Sequence, residues 1–167
     1  GFDTAALRSA TRLSGNLGLG DGGASSTALT ARTRVESVRA EGTEPAAAAD
    51  LSLTLAAGKT YALDGVLRLH AADQGTGFAS AFAAPPGAMV SVVARAEPAH
   101  AGGSALLGSD ATATLALDAG DAVVTLAGTV TTAATDGTLE LRWTQGRRGP
   151  APLTLQTGSW LRAMELP

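Results

Sequence analysis

A chain of 167 residues is long enough to bury one sizeable core, and its net charge of −3 offers no bulk attraction to nucleic acid or anionic lipid. Lacking cysteine, it has no disulfide, thiolate metal site or cysteine nucleophile, and no run approaches the roughly 20 apolar residues of a membrane span. Aromatic residues are only 4% of the chain, so the core must be filled by Leu, Val and small side chains, a supply that suits flat layers in close approach.

The first 26 residues differ from the rest. Residues 3–13 are compatible with a short, weakly amphipathic helix, and residues 15–26 are rich in Gly and Ser and read as loop or linker. Gly18, Gly20 and Gly23 match the spacing of a dinucleotide fingerprint, but the strand before it and the helix after it are missing. Gly20, Asp21, Gly22 and Gly23 resemble one repeat of a calcium-binding solenoid, and a single copy cannot stack. Residues 1–28 are therefore expected to be an irregular arm that attaches the domain to something else, with the folded domain at 29–167. The start at Gly1, without a signal-peptide pattern, is expected of a cut-down or processed product.

From Leu29 onward the apolar residues alternate with polar ones, the period of a half-buried strand. Leu29, Ala31, Thr33 and Val35 share one face. Residues 41–50, with Pro45 and an alanine run, read as a connection with room for a helical turn. Leu51, Leu53 and Leu55, then Tyr61, Leu63, Leu67 and Leu69, form two further inward faces around a turn at Gly58. A short strand at 78–82 ends at Pro85 and Pro86, which remove two backbone donors. Val90, Val92 and Ala94 face inward, residues 97–110 read as a long polar connection, and Ala113, Leu115 and Leu117 begin the next strand.

The clearest pattern lies at 121–145. Ala122, Val124, Leu126 and Val130 alternate with polar or exposed positions, as do Leu139, Leu141 and Trp143, and an Asp136-Gly137 turn signal separates the runs. The two are expected to form a β-hairpin. Leu153 and Leu155 open a short strand, and residues 159–166 close the chain with apolar groups on both faces: Trp160, Met164 and Leu166 on one, Leu161 and Ala163 on the other. Burial within the monomer and an oligomer interface would each give this pattern. About nine or ten short strands without a long helix predict an all-β, antiparallel β-sandwich, jelly-roll-like, with an irregular N-terminal arm.

No catalytic constellation stands out. His70 ends a predicted strand and His100 lies in the long loop, neither with a companion at metal-ligand spacing. Asp118 and Asp121 could hold a calcium ion, although such pairs more often cap turn amides. Asp64, Asp73, Asp110 and Glu140 could be combined into glycosidase pairs, but sequence spacing says nothing about spacing across a sandwich. No catalytic residue, cofactor or metal ligand is assigned. Arg147 and Arg148 are the one basic doublet and the candidate contact to an anionic partner. Trp143 falls on an apolar face and reads as core, whereas Trp160 is also a candidate sugar-stacking ring.

Four runs carry a resemblance: LSLTLAAGKTY at 51–61, FAAPPGA at 82–88, GTLELRWTQ at 137–145 and GSWLR at 158–162. Over residues 25–166 the chain resembles a β-rich module of structural proteins in tailed bacteriophages and phage-derived gene transfer agents, whose members often end with runs like GTLTLRWAQ and GSWLRL. The segment 147–152 is more basic and richer in proline than the small polar run usual in that family. The resemblance implies a non-enzymatic spike, fibre or tail component of a phage-like particle, extracellular after release. It implies a homo-oligomer, trimer favoured, with Trp160, Leu161 and Ala163 as candidate interface. Other virion proteins would be held through the N-terminal arm, and a cell-surface polysaccharide is a further partner. The alternative is a secreted carbohydrate-binding module or adhesin domain on the same kind of sandwich. A glycan-degrading enzyme is a third reading, without an acid pair to support it. Nucleic acid and a membrane span are not expected.

Overall fold

The computed structural model describes residues 28–42, 44–97, 104–109 and 111–167. The expected arm, its glycine motifs, His100 and Asp110 lie outside the described residues, apart from Ala28, which opens the first strand.

Twelve strands are described: β1 (Ala28–Arg32), β2 (Ser37–Arg39), β3 (Ala46–Leu55), β4 (Thr60–Ala71), β5 (Phe78–Ala83), β6 (Met89–Glu97), β7 (Ser104–Leu107), β8 (Ala113–Leu115), β9 (Gly120–Thr131), β10 (Gly137–Gln145), β11 (Leu153–Leu155) and β12 (Trp160–Glu165). They form two antiparallel sheets. The larger runs β1-β12-β4-β9-β6-β7, with β11 also beside β4 and β2 beyond β11; the smaller runs β3-β10-β5-β8. The expectation of an all-β, antiparallel β-sandwich holds.

The inward faces are those set by the alternation. Leu51, Leu53, Leu55, Leu139, Leu141 and Trp143 from the smaller sheet meet Leu63, Leu67, Leu69, Val92, Val124 and Leu126 from the larger, all buried. The longest pairing, β4 with β9, runs without a break from Thr60 opposite Thr131 to Ala71 opposite Gly120. It forms the spine of the larger sheet.

The expected β-hairpin at 121–145 does not form. β9 pairs with β4 and β6, whereas β10 pairs with β3 and β5, so residues 132–136 carry the chain from one sheet to the other. An alternating pattern states which face is buried but not which strand lies alongside, and two strands facing each other across a core have the same pattern as two side by side. The β3–β4 connection crosses beside it, and the two crossings bond to each other. Gly58 N donates to Ala133 O (2.7 Å) and Thr132 N to Lys59 O (2.8 Å). The buried Thr132 hydroxyl donates to Ala56 O (2.6 Å) and accepts from Lys59 N (2.9 Å). Gly58 adopts φ +68°, which explains a glycine at that corner.

Three smaller expectations are also corrected. The alanine run is the start of strand β3, paired to Arg142 and Trp143, and the register shifts between Glu140 and Arg142. Alanine takes this extended path because a sheet neighbour bonds its backbone, which overrides its helical preference. The polar connection 97–110 contains strand β7, which pairs Leu107 with Val92. Val35 lies past the end of β1 and is exposed, while Leu29 and Ala31 pack against the core and Thr33 is buried.

The GSW run has a structural role. One edge of β4 is shared by β12, up to Val66, and β11, from Leu69. At the join, the buried Ser159 hydroxyl accepts a hydrogen bond from Arg68 N (2.8 Å) and donates to Gln156 O (2.9 Å). Ser159 N donates to the Thr33 hydroxyl (3.1 Å), and Thr33 N returns a bond to Ser159 O (2.8 Å). Ser159→Ala leaves the Arg68 amide without its acceptor, and we expect it to lower the unfolding free energy by about 2 kcal/mol. Urea titration measures this; a loss below about 0.5 kcal/mol would show that the join does not depend on the hydroxyl.

Candidate functional site

Two connections at one end of the sandwich form its most polar depression. The β4–β5 connection, residues 72–77, and the β10–β11 connection, residues 146–152, lie against each other. Arg147 N donates to Thr76 O (2.9 Å) and Gly146 N to Gly77 O (3.0 Å). The Thr76 hydroxyl donates to Asp73 O (2.9 Å) and fixes the first loop internally. Gly149 O accepts from Glu41 N (2.9 Å), which holds the far side of the second. Between them is a space of about 260 Å³ lined by Asp73, Thr76, Gln145, Arg147, Arg148 and residues 149–151.

Both arginines of the expected contact pair are exposed on this rim and form no ion pair among the described residues. The Arg147 guanidinium lies over Gly75, where a Cβ would come within 3.1 Å of Nη2. Gly75 has φ +81°, so the loop both needs glycine for its backbone and uses the vacant Cβ position to seat the arginine.

Gln145 was not a candidate from sequence, yet it lines the depression and is only 1% exposed. Its Nε2 donates to Ala151 O, while Oε1 has no hydrogen-bond partner among the described residues. The signal was present: Gln145 has the same strand parity as Leu139, Leu141 and Trp143, so an amide falls where the alternation demands an apolar group. A buried acceptor left unpaired costs about 1–3 kcal/mol.

The other candidates are dispersed. His70 Nδ1 lies 2.8 Å from Asp121 Oδ1, directly opposite across β4 and β9, so Asp121 is part of a cross-strand pair. Asp118 Oδ1 accepts from Gln74 Nε2 (3.2 Å). Glu140 pairs with Arg142 at 3.2 Å, and Asp73 accepts from the amide of Gln74 (2.8 Å). Asp64 takes both its oxygens to Arg162, at 3.0 and 2.7 Å, across β4 and β12. These hydrogen bonds, and then the charge of Asp64, raise the Arg162 pKa above its ordinary value. Among the described residues no group of three or more His, Asp or Glu side chains is arranged to hold a metal ion. No helix among them is long and apolar enough to cross a membrane.

Of the expected interface residues, Leu161 and Ala163 are fully buried in the monomer's own core. Strand alternation turns Trp160, Arg162 and Met164 the other way, onto the outer face of the larger sheet, where each is half-buried. An interface on β12 would therefore use Trp160 and Met164 and not Leu161 or Ala163. The Arg162 guanidinium lies 5.5 Å from the Trp160 ring centroid. Trp143 is in the core, as its pattern indicated, with its ring 6.2 Å from that of Phe78.

The outer face of the larger sheet also carries exposed apolar groups that sequence reading missed. Met89 is 74% exposed, Leu106 67%, Val93 40% and Val123 37%. Register puts Ala127, Val93 and Leu106 in one row across β9, β6 and β7.

No protein-family model matches the chain, and comparison with curated proteins finds none similar to it.

Proposed function

We propose that the chain is a non-enzymatic structural component of a phage-like particle, a head spike, fibre or tail protein that assembles with copies of itself and contacts a host-surface glycan. The observation that carries this reading is the outer face of the larger sheet. Met89, Val93, Leu106 and Val123 stand exposed there among Ala, Ser and Thr, on a flat surface that a second sheet can approach closely. Edge strand β7 adds backbone groups on its outer side that have no strand neighbour among the described residues. The sequence resemblance supports the same reading, with a trimer as the favoured assembly and residues 1–28 as the attachment to other virion proteins.

The solution mass tests it. Light scattering at low micromolar concentration is expected to give a whole multiple of 16.5 kDa. Leu106→Glu places a charge in the exposed row and is expected to return the chain to monomer, with a stability change within about 0.5 kcal/mol. A wild-type chain that is monomeric across that range sinks self-assembly.

A secreted carbohydrate-binding module or adhesin domain is the second reading. It is favoured by Trp160, half-buried at the surface opposite Arg32 on β1 and beside Arg162. A monomer that binds glycan through Trp160 would support this reading over the first.

A further inference from the structure

We propose that the depression between residues 72–77 and 146–152 is a subsite for one acidic sugar unit, a hexuronate, of a polysaccharide; this rests on the surface-glycan part of the reading above. The walls supply two kinds of chemistry at once. Arg147 and Arg148 have only N–H donors and are matched to a carboxylate, which accepts two parallel hydrogen bonds from a guanidinium. Gln145 Oε1 and the Asp73 carboxylate are acceptors, and they need hydroxyl donors.

A neutral sugar would serve the acceptors and leave the guanidinium groups unused. Inorganic phosphate would serve the guanidinium groups, bring little to Gln145 Oε1, and meet the negative charge of Asp73. A hexuronate carries a carboxylate and several hydroxyls on one ring and meets both sets. Size agrees: about 260 Å³ falls below the roughly 300 Å³ at which pockets for drug-sized ligands begin, and suits a single ring.

The site is also held in shape before any ligand arrives. The two backbone bonds joining the loops fix their spacing, and the Gln145 amide is oriented by its bond to Ala151 O, which leaves Oε1 as the free end. Little ordering remains to be done on binding.

The test titrates the ¹⁵N-labelled full chain with D-glucuronate, D-glucose and inorganic phosphate in parallel. Glucuronate is expected to shift the Gln145 side-chain amide together with the backbone amides of Arg147 and Gly149, saturating in the millimolar range. Arg148→Ala, an exposed change that leaves the core untouched, is expected to weaken it about fivefold or more. Gln145→Met, which keeps the side-chain length and removes Oε1, is expected to weaken glucuronate and leave phosphate unchanged. Equal response to glucose would overturn the assignment of an acidic ligand. Equal response to phosphate, or no response to glucuronate by about 50 mM, would overturn the sugar site. The mass measured on the same sample separates the two proposals: an oligomer that ignores glucuronate sinks the subsite alone, and a monomer that binds it sinks self-assembly alone.

Discussion

Gly128→Ala is expected to be among the most damaging single-methyl changes in the domain, costing about 3 kcal/mol or more of folding stability. Gly128 sits in β9, the strand bonded on both sides, opposite Leu63 on β4 and Val92 on β6. A Cβ there would lie 2.0 Å from Ser91 O and 2.6 Å from the Val92 Cα. Both are backbone atoms of a paired strand, so relief cannot come from a side-chain rotation; the strands themselves must part. Gly42→Ala is the control, since nothing lies within 4 Å of its Cβ position, and it should stay within about 0.5 kcal/mol. Urea unfolding of the pair decides the matter. A Gly128→Ala loss as small as that of Gly42→Ala would mean that β6 does not approach β9 as described.

Trp143→Ala is expected to cost about 4 kcal/mol, the upper part of the range for a large ring removed from a core. The ring is fully buried, tilted at 32° against Phe78, and covered by the Arg39 guanidinium 4.6 Å from its centroid. Arg39 is tied by a bond to Ala47 O (3.0 Å), and partial burial lowers its pKa from the ordinary value without discharging it at neutral pH. The informative companion is Trp143→Phe. Trp143 Nε1 is buried with no partner among the described residues, so Phe gives up packing volume but also removes an unpaired donor. The two effects oppose each other, and a net loss within about 1.5 kcal/mol is expected from denaturant titration. If Phe proves as costly as Ala, the indole N–H has a partner after all.

What the sequence made legible was facing. Leu139, Leu141 and Trp143 were placed inward by parity alone, as were the inward residues of β4 and β9, because a side chain's face depends only on its own strand. Adjacency was not legible: the supposed partner of β9 lies in the other sheet, and no property of the residues at 132–136 distinguishes a loop that reverses within a sheet from one that crosses between two. Leu161 and Ala163 show the same limit from another side. Their strand has apolar groups on both faces, and only the arrangement of β1 and β4 around it tells which face is the core. Of the depression, the arginine doublet could be found because charge is visible in a sequence. Gln145 went unnoticed, since its meaning depends on a bond to Ala151 that closes a loop. The opposed pairs His70–Asp121 and Asp64–Arg162 required the register of strands far apart in the chain.

The position of β1 has a consequence for how the molecule is made. Its one strand neighbour is β12, so Leu29 waits opposite Ala163, and Ala31 opposite Leu161, until the last segment of the chain exists. Most other connections pass from sheet to sheet, so few pairings join strands that are consecutive in the chain; β6 with β7 is one of them. Folding must therefore close long loops before they are rewarded, which places it among slow, non-local folders. On a ribosome the first described strand would emerge early and remain without its partner until synthesis was nearly complete. The domain is thus closed by its own two ends, and a chain stopped before Trp160 loses the means to hold its beginning as well as its end.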